Sequence, residues 1–263
     1  MRYDLSYNHT IIQKVKFMLK RAPSLTDQVK AHIKDLIIQG EFADGRVPPE
    51  MELAEALGVS RTTVRDALSR LEMEGTISRR QGAGTFVNNP VLQIRSRLEE
   101  IWSYEAMLQA HGFTPSTHVL ESRVYETGHP SLLPGVAEGL GLADGEPVLF
   151  INKLFQENNV PVIMAHNYIP LQLAPEPYAP EDLVLPVYDF LERFGRQRLA
   201  YYLSEIIPTT ADQTMAEVLQ IEAGTPLLSF DETGYNEENE PILKAYSYFR
   251  DDLLRFRLLR RRV

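Results

Sequence analysis

The feature that most constrains the fold is an internal repeat in the second half of this 263-residue chain. Residues 137–169 align with residues 216–249 at a shift of 79 positions, which becomes 80 inside a turn, and ten positions are identical. Each copy has the pattern of a helix, a Gly-x-Pro turn, a strand, an Asn-rich turn and a second strand. Further strand candidates precede the two helices, at 119–125 and 200–207. The repeat therefore predicts a sheet domain of about six strands with two similar halves.

The first third of the chain has the pattern of three short helices followed by a hairpin. Apolar residues recur at helical spacing in three stretches, 25–40, 49–58 and 60–75, and each stretch ends at a glycine. Two strand candidates, 76–80 and 85–87, then flank a loop that contains glycine. This pattern predicts a compact helical bundle with a β-hairpin beside it.

Hydrogen-bond donors crowd the first turn of the predicted third helix. They are Ser60, Arg61, Thr62, Thr63 and Arg65. A helix end that enters the major groove of DNA needs such residues. Arginine donates two hydrogen bonds to guanine O6 and N7, while hydroxyl and backbone N–H groups bind phosphates. Two arginines on a helix are by themselves more often solvated than functional. The interpretation therefore depends on the surrounding sequence.

That surrounding sequence resembles a known family. Residues 58–68 read GVSRTTVRDAL, residues 79–82 read RRQG and residues 84–87 read GTFV. With the helices around them, these motifs resemble the DNA-binding domain of the GntR family of bacterial transcription regulators. The resemblance implies a winged helix-turn-helix in which the donors of the third helix meet DNA. It also implies that Gly82, at the tip of the wing, reaches the adjacent minor groove with help from Gln81.

The charge is distributed unevenly along the chain, although its net value is only −9. Residues 91–249 hold twenty-three acidic and eight basic residues, whereas residues 24–90 are close to balanced. An acidic middle segment confines contact with a polyanion to the first third of the chain. Residues 1–23 are basic, and within them residues 11–21 have the spacing of an amphipathic helix. Packing on the protein or a second subunit, a frayed tail, and contact with DNA or a membrane surface are alternative roles for this helix.

Several classes of site are excluded by what the sequence lacks. The chain contains no cysteine, which excludes disulfides and thiolate sites and suits a reducing cytoplasm. No segment has the roughly 18 uninterrupted apolar residues of a membrane span. The six histidines show no spacing typical of a metal site, and no motif of a hydrolase or a phosphate-binding loop occurs. We therefore expect a cytoplasmic protein without a metal or cofactor that is not an enzyme.

The repeat domain resembles a known family as well. The motifs that carry this resemblance are GEPV at 145–148, YIP at 168–170, VYDFL at 187–191, GTPLL at 224–228 and YFR at 248–250. Over residues 115–256 the chain resembles the UTRA ligand-sensing domain of the HutC subfamily of GntR regulators. The resemblance implies a mostly antiparallel sheet similar to chorismate lyase, and a small metabolite, often an anionic one, as the ligand.

Polar and cationic side chains on the predicted strands are the candidates for the effector site. They are Arg123, Lys153, His166, Tyr168, Tyr246, Ser247 and Arg250. A convergent set of such groups in a crevice beside the proline-rich insertion, residues 170–186, suits an anion. The sequence predicts a helix over residues 187–194 directly after this insertion. Relatives that bind phosphorylated sugars often carry Arg-x-Arg where this chain has Lys153-Leu154-Phe155. Lys153 thus keeps one of the two positive charges, and Phe155 replaces the other. The ligand specificity of those relatives is therefore not assigned to this chain.

The expected fold class is α+β, with five segments along the chain. They are a basic extension (1–23), a winged helix-turn-helix (24–90), a helical linker (91–114), the sheet domain (115–256) and a basic tail (257–263). We expect a homodimeric transcription repressor that binds an inverted-repeat operator in double-stranded DNA and responds to a small anionic effector. Two alternatives are a lyase-type enzyme on the same fold and a DNA-binding protein without an effector.

Overall fold

The structure of the chain is a computed structural model. The residues that the structure describes are 24–89, 98, 100–175, 177–257 and 260. The predicted amphipathic helix over 11–21 and most of the basic tail lie outside them. The described residues divide into two compact units: residues 24–89 and 260 belong to the first, and those from 98 to 257 belong to the second.

Within residues 24–89, three α-helices and a small sheet form the first unit. In chain order its elements are α1 (Leu25–Gln39), β1 (Arg46–Val47), α2 (Glu50–Leu57), α3 (Arg61–Met73), β2 (Ile77–Arg80) and β3 (Gly84–Val87). The strands are antiparallel in the order β1-β3-β2. The helices and the β2–β3 hairpin lie where the sequence predicts them. Strand β1 was not predicted from the sequence, because a strand of two residues is too short to show a periodic pattern of apolar residues.

A side-chain cap and one apolar face orient α3. The Ser60 hydroxyl accepts a hydrogen bond from the Thr63 backbone N–H at 3.1 Å and so caps the helix. The buried face repeats at i, i+3, i+4 and i+7 and consists of Val64, Ala67, Leu68 and Leu71. These residues lie in one core cluster with Ile33 of α1. Since that face points inward, the polar residues of the first turn point to solvent.

The second unit is a six-stranded antiparallel sheet with short helices on both sides. In chain order its elements are α4 (Tyr104–Ala110), β4 (Pro115–Glu126), α5 (Val136–Leu140), β5 (Pro147–Glu157), β6 (Val160–Pro170), α6 (Val187–Phe190), β7 (Tyr201–Thr210), α7 (Gln213–Leu219), β8 (Pro226–Tyr235) and β9 (Pro241–Arg250). The strand order is β4-β5-β6-β9-β8-β7. The two repeated halves therefore lie side by side and meet where β6 pairs with β9.

Two predicted helices are shorter in the structure. In the described part of the linker only Tyr104–Ala110 are α-helical. The predicted helix over 187–194 is α-helical through Phe190 and then ends in a π-type turn over Leu191–Gly195. In both segments apolar residues recur because they cover the sheet, and helical spacing alone does not distinguish a helix from an irregular segment that packs on a core.

The repeat makes the sheet nearly symmetric. His166 on β6 pairs with Tyr246 on β9, and the two positions are counterparts in the repeat at its shift of 80. A residue that pairs with its own counterpart lies at a twofold axis. The pseudo-twofold axis therefore passes between these two residues, perpendicular to the sheet, and each residue and its counterpart point to the same side.

The central strands of the sheet are buried on both sides, whereas the edge strands β4 and β7 are mostly exposed. Helices α5 and α7 cover one side, where Phe150, Tyr168 and Tyr246 lie in the core, and we call it the α5–α7 face. Helix α4 covers part of the other side, where Leu108 packs with Phe249, and we call it the α4 face. The insertion between β6 and β7 covers the rest of the α4 face. Strands covered on both sides read as nearly continuous apolar runs.

Candidate functional site

The first turn of α3 is the most exposed polar surface among the predicted site residues. Arg61, Thr62 and Arg65 are exposed, as is Ser60, while Thr63 is half-buried. The Ser60 and Thr63 hydroxyls lie 2.8 Å apart, so both serve the helix cap. The structure thus brings all five predicted donors together at one helix end, with the two arginines pointing outward.

The two arginines of this turn differ in their partners. Arg61 Nε donates to Glu50 Oε2 at 3.0 Å, although the Arg61 side chain remains 68% exposed. The Arg65 guanidinium makes no hydrogen bond or ion pair within the residues that the structure describes. Only its backbone carbonyl is engaged, by Arg79 Nη2 at 3.3 Å and by the Ser69 hydroxyl at 2.8 Å. Arg65 is therefore the guanidinium that is free to meet a ligand.

The turn between β2 and β3 is the tip of the predicted wing. Gln81 and Gly82 are both exposed there, and the turn is closed by a hydrogen bond from Ala83 N to Arg80 O at 3.0 Å. Gly82 has a φ of +74°, which favours glycine because a Cβ would be strained there. A short, glycine-bearing tip lets the backbone approach a groove closely.

One cation of this surface was not predicted from the sequence. Arg46 lies on β1 and is exposed, and its Nε lies 3.3 Å from the position that a Cβ on Gly84 would occupy. Arg80 places its guanidinium 4.6 Å from the centre of the Phe86 ring. Two more cations therefore flank the wing. No signal in the sequence locates Arg46 there, because the pairing of β1 with β3 is not visible in two residues.

The second unit contains a cavity of about 490 Å³ on the α4 face of its sheet. Five strands, the segment before α4 and the start of α6 contribute to its wall. Of the seven predicted effector residues, Lys153 lines this cavity directly. Ser247 lies on the same face, fully buried, and its Oγ is 2.6 Å from the Tyr104 hydroxyl. The structure therefore brings two of the seven predicted residues to the cavity side.

Three predicted effector residues lie on the α5–α7 face instead. His166, Tyr168 and Tyr246 pack there, with the Tyr168 ring stacked 5.1 Å from Phe150 and the Tyr246 hydroxyl donating to Pro134 O at 2.6 Å. Burial lowers the pKa of His166 to about 4 and raises the pKa of each tyrosine well above its usual value. These groups are neutral core residues at pH 7 and do not face the cavity.

The two predicted arginines lie elsewhere. Arg123 is on the edge strand β4 with its side chain 66% exposed. Arg250 is at the end of β9, where Nη1 donates to the carbonyls of Pro161 and Leu219 at 3.1 and 3.2 Å, and Asp252 accepts from Nη2 at 2.8 Å. The Arg250 guanidinium therefore links the end of β9 to the start of β6 and the end of α7. The structure does not bring either arginine to the cavity.

Most of the cavity wall was not predicted from the sequence. Its polar and aromatic residues other than Lys153 are Glu100, Trp102, Ser103, Tyr104, Glu105, Phe155, Asn167, Tyr188, Tyr201, Tyr202, Ser204, Phe230 and Glu232. Several lie on the linker and on α6, which have no strand periodicity to place them. Glu232 had an available signal, because it is the repeat counterpart of Lys153.

The cavity holds charges of both signs. Burial lowers the pKa of Lys153 to about 8, against the attraction of Glu105, which raises it. Lys153 Nζ donates to the Leu185 carbonyl. Burial raises the pKa of Glu232, whose Oε1 accepts from the Ser204 hydroxyl at 2.5 Å. The Tyr104 hydroxyl is a second hydrogen-bond partner of Glu232. Within the described residues the hydrogen-bond partners of Lys153 and Glu232 are thus neutral, and the cavity has one cationic and one acidic group in its wall.

Across the described ranges, no three His, Asp or Glu side chains are placed to hold a metal ion. No helix in that part of the chain is both long and apolar enough to span a membrane.

Comparison with known proteins matches both units. The model of the bacterial regulatory proteins of the gntR family matches residues 25–87, and that of the UTRA domain matches residues 110–255. The HTH-type transcriptional repressor NagR of Bacillus subtilis (strain 168) is 29% identical over 230 residues, which cover 87% of this chain and 91% of NagR. The histidine utilization repressor of Pseudomonas putida is 32% identical over 214 residues, covering 75% of this chain and 78% of the repressor. The crystal structure of YydK from Bacillus subtilis subsp. subtilis str. 168 has the same fold, with a TM-score of 0.70 at 18% identity over 90% of this chain and 99% of YydK.

Proposed function

The chain belongs to the GntR family of bacterial regulatory proteins, in the HutC subfamily with a UTRA domain, and on that premise we propose that it is a homodimeric repressor whose affinity for an inverted-repeat operator changes when a small anionic metabolite binds. Its families and relatives are transcription regulators rather than enzymes, which sets the lyase alternative aside. The observation that carries the proposal is the outward-pointing, cationic first turn of α3, with Arg65 unpaired within the described residues.

The DNA-binding part is tested by selecting a preferred site from a random duplex library with the full chain. We expect a palindromic site whose half-sites are centred about one helical turn, roughly 34 Å, apart or a multiple of it. Affinity for that site falls as salt rises, because bound phosphates release counterions. Recovery of no site, or of a site without internal symmetry, would contradict the proposal.

The cavity supports the effector part. Lys153 is the only Lys or Arg among the described residues that line it, and a buried ammonium suits an anionic group. The effector can prefer a dimer conformation in which the two DNA-binding domains have a spacing that does not fit the operator. It then lowers operator affinity by the difference in its binding free energy between the two conformations, typically about 1–3 kcal/mol. A cavity with buried charges disfavours the alternative of an effector-free DNA-binding protein, which needs no polar cavity.

Edge strand β7 supports the dimer. Leu203 is 65% exposed and Ile206 is 51% exposed, and an edge strand offers unpaired backbone groups to a second strand. The other edge strand, β4, has a register shift between Val119 and Glu121, and such irregularities protect an edge from pairing. We therefore place the dimer contact at β7, where a strand of a second copy adds to the sheet.

Replacing Leu203 with lysine is expected to weaken the dimer by about tenfold or more, because two copies would then bring like charges into one strand pair. Sedimentation equilibrium of the full chain measures the dissociation constant. Leu120→Lys, at a residue 44% exposed on β4, is the matched control and should leave it unchanged. An unchanged constant for Leu203→Lys would show that β7 is not the interface.

A further inference from the structure

Two ionisable groups of opposite charge type occupy equivalent positions in the two halves of the sheet, one on a buried lysine and the other on a half-buried glutamate. Lys153 on β5 and Glu232 on β8 are counterparts at the repeat shift of 79. Their ladder partners are counterparts as well, since Lys153 pairs with Ala165 and Glu232 pairs with Ala245. Because the pseudo-twofold axis is perpendicular to the sheet, both side chains point to the α4 face, and both line its cavity. A symmetric scaffold thus carries an asymmetric pair of charges.

The two charges do not neutralise each other. Three strand spacings separate Lys153 from Glu232, which is about 14 Å across the sheet. Within the described residues neither forms an ion pair. The close partner of Lys153 is the Leu185 carbonyl, and those of Glu232 are the Ser204 and Tyr104 hydroxyls. A buried charge with neutral partners is costly. A ligand that presents a counter-charge at each end removes both costs.

The wall between the two charges suits a flat, apolar body. Ala165 and Ala245 are small and form the floor near the axis. The aromatic residues of the wall include Trp102, Tyr104, Tyr188 and Tyr202. Aromatic side chains offer large apolar faces to a planar ligand. The cavity is also within the size range of small-molecule sites, about 300–1,000 Å³.

We propose that the effector is an amphoteric molecule that spans the pseudo-twofold axis, with its anionic group at Lys153 and an amine or another cationic group at Glu232. This inference rests on the proposed function, because it concerns the same cavity. It goes further by requiring a second, positive group that an anion-binding site does not need.

The test uses two sets of probes that share a carbon skeleton within each set. One set is para-aminomethylbenzoate, para-methylbenzoate and para-methylbenzylamine, and the other is ε-aminohexanoate, hexanoate and hexylamine. Isothermal titration calorimetry with the full chain measures each dissociation constant. In at least one set we expect the amphoteric compound to bind about tenfold tighter than either singly charged analogue.

Glu232→Gln is expected to remove this preference while leaving the affinity for the carboxylate-only analogue unchanged. Lys153→Met should weaken the amphoteric and carboxylate-only compounds together. Glu222→Gln, the same change at an exposed position, is the matched control and should alter none of the constants. Far-ultraviolet circular dichroism of each variant establishes that the fold is kept.

Three results would overturn the inference. They are equal binding of the amphoteric and carboxylate-only compounds, a preference that survives Glu232→Gln, and no binding of any probe. In the first two cases the proposed function stands if the carboxylate-only compound binds and changes operator affinity. Failure of the proposed function itself is detected separately, by the site selection with DNA, which uses no ligand.

Discussion

Replacing Arg65 with alanine is expected to lower affinity for the selected operator about 5- to 150-fold, which corresponds to about 1–3 kcal/mol for a lost contact with a base edge. The Arg65 side chain is exposed on the first turn of α3 and makes no hydrogen bond or ion pair within the described residues that the substitution would break. The melting temperature should therefore stay the same. Fluorescence anisotropy with the operator and with a scrambled duplex, each at two salt concentrations, measures the loss.

Replacing Arg61 with alanine is expected to lower operator affinity less than replacing Arg65 does. Arg61 is held by Glu50 at 3.0 Å, so it must exchange that partner for DNA, and Arg61→Ala should cost less than Arg65→Ala. Arg198→Ala, at a side chain 74% exposed in the second unit, is the control and should have no effect. Equal losses on operator and scrambled duplex would mean that Arg65 contacts phosphate only, and base reading by Arg65 would then be wrong.

The local signals of the first unit were sufficient to predict its helices. Ser24 caps α1 with its hydroxyl, and Gly40 ends it with a φ of +76°; both residue types are the expected ones at those positions. Ser60 acts in the same way for α3. Caps and apolar spacing are properties of neighbouring residues, so they are visible in a single sequence. The pairing of Arg46 on β1 with Phe86 on β3 is not local and was missed.

The strand content of the sheet and its two similar halves also followed from the sequence, because the repeat gives both halves the same elements. The junction of the halves, where β6 pairs with β9, did not follow from it. Which residues share a face did not follow. On β6, Ala165 and Asn167 line the cavity, whereas His166 and Tyr168 point to the α5–α7 face. The strand is covered on both sides, so no alternation of polar and apolar residues marks its two faces. The effector residues predicted from their polar or cationic chemistry alone therefore came from both faces of the sheet.

Replacing Lys153 with methionine is expected to raise the free energy of unfolding by about 3 kcal/mol at pH 7. Lys153 is 2% exposed, and burial lowers its pKa from 10.5 to about 8. Between these two values the unfolded chain binds the proton and the folded chain does not, so the stability of the natural chain rises as the pH rises through that window. The methionine variant has no ammonium group at this position, so it avoids the free-energy cost of burying a protonated lysine. Urea denaturation of both proteins at pH 7 and at a pH above 10 measures the difference, which should shrink at the higher pH.

The same substitution at Lys244 should have the opposite sign. Lys244 is also buried, but its Nζ is paired with Asp231 and lies 3.3 Å from the Thr233 hydroxyl. Lys244→Met removes that pair and leaves a carboxylate without its partner, which is destabilising. If Lys153→Met destabilised the protein as well, the bond to the Leu185 carbonyl would outweigh the cost of burial, and Lys153 would be a structural residue. If it stabilises the protein, the natural chain keeps a charge in this cavity at the expense of its own stability, which is the trade expected where a side chain is needed for binding a ligand.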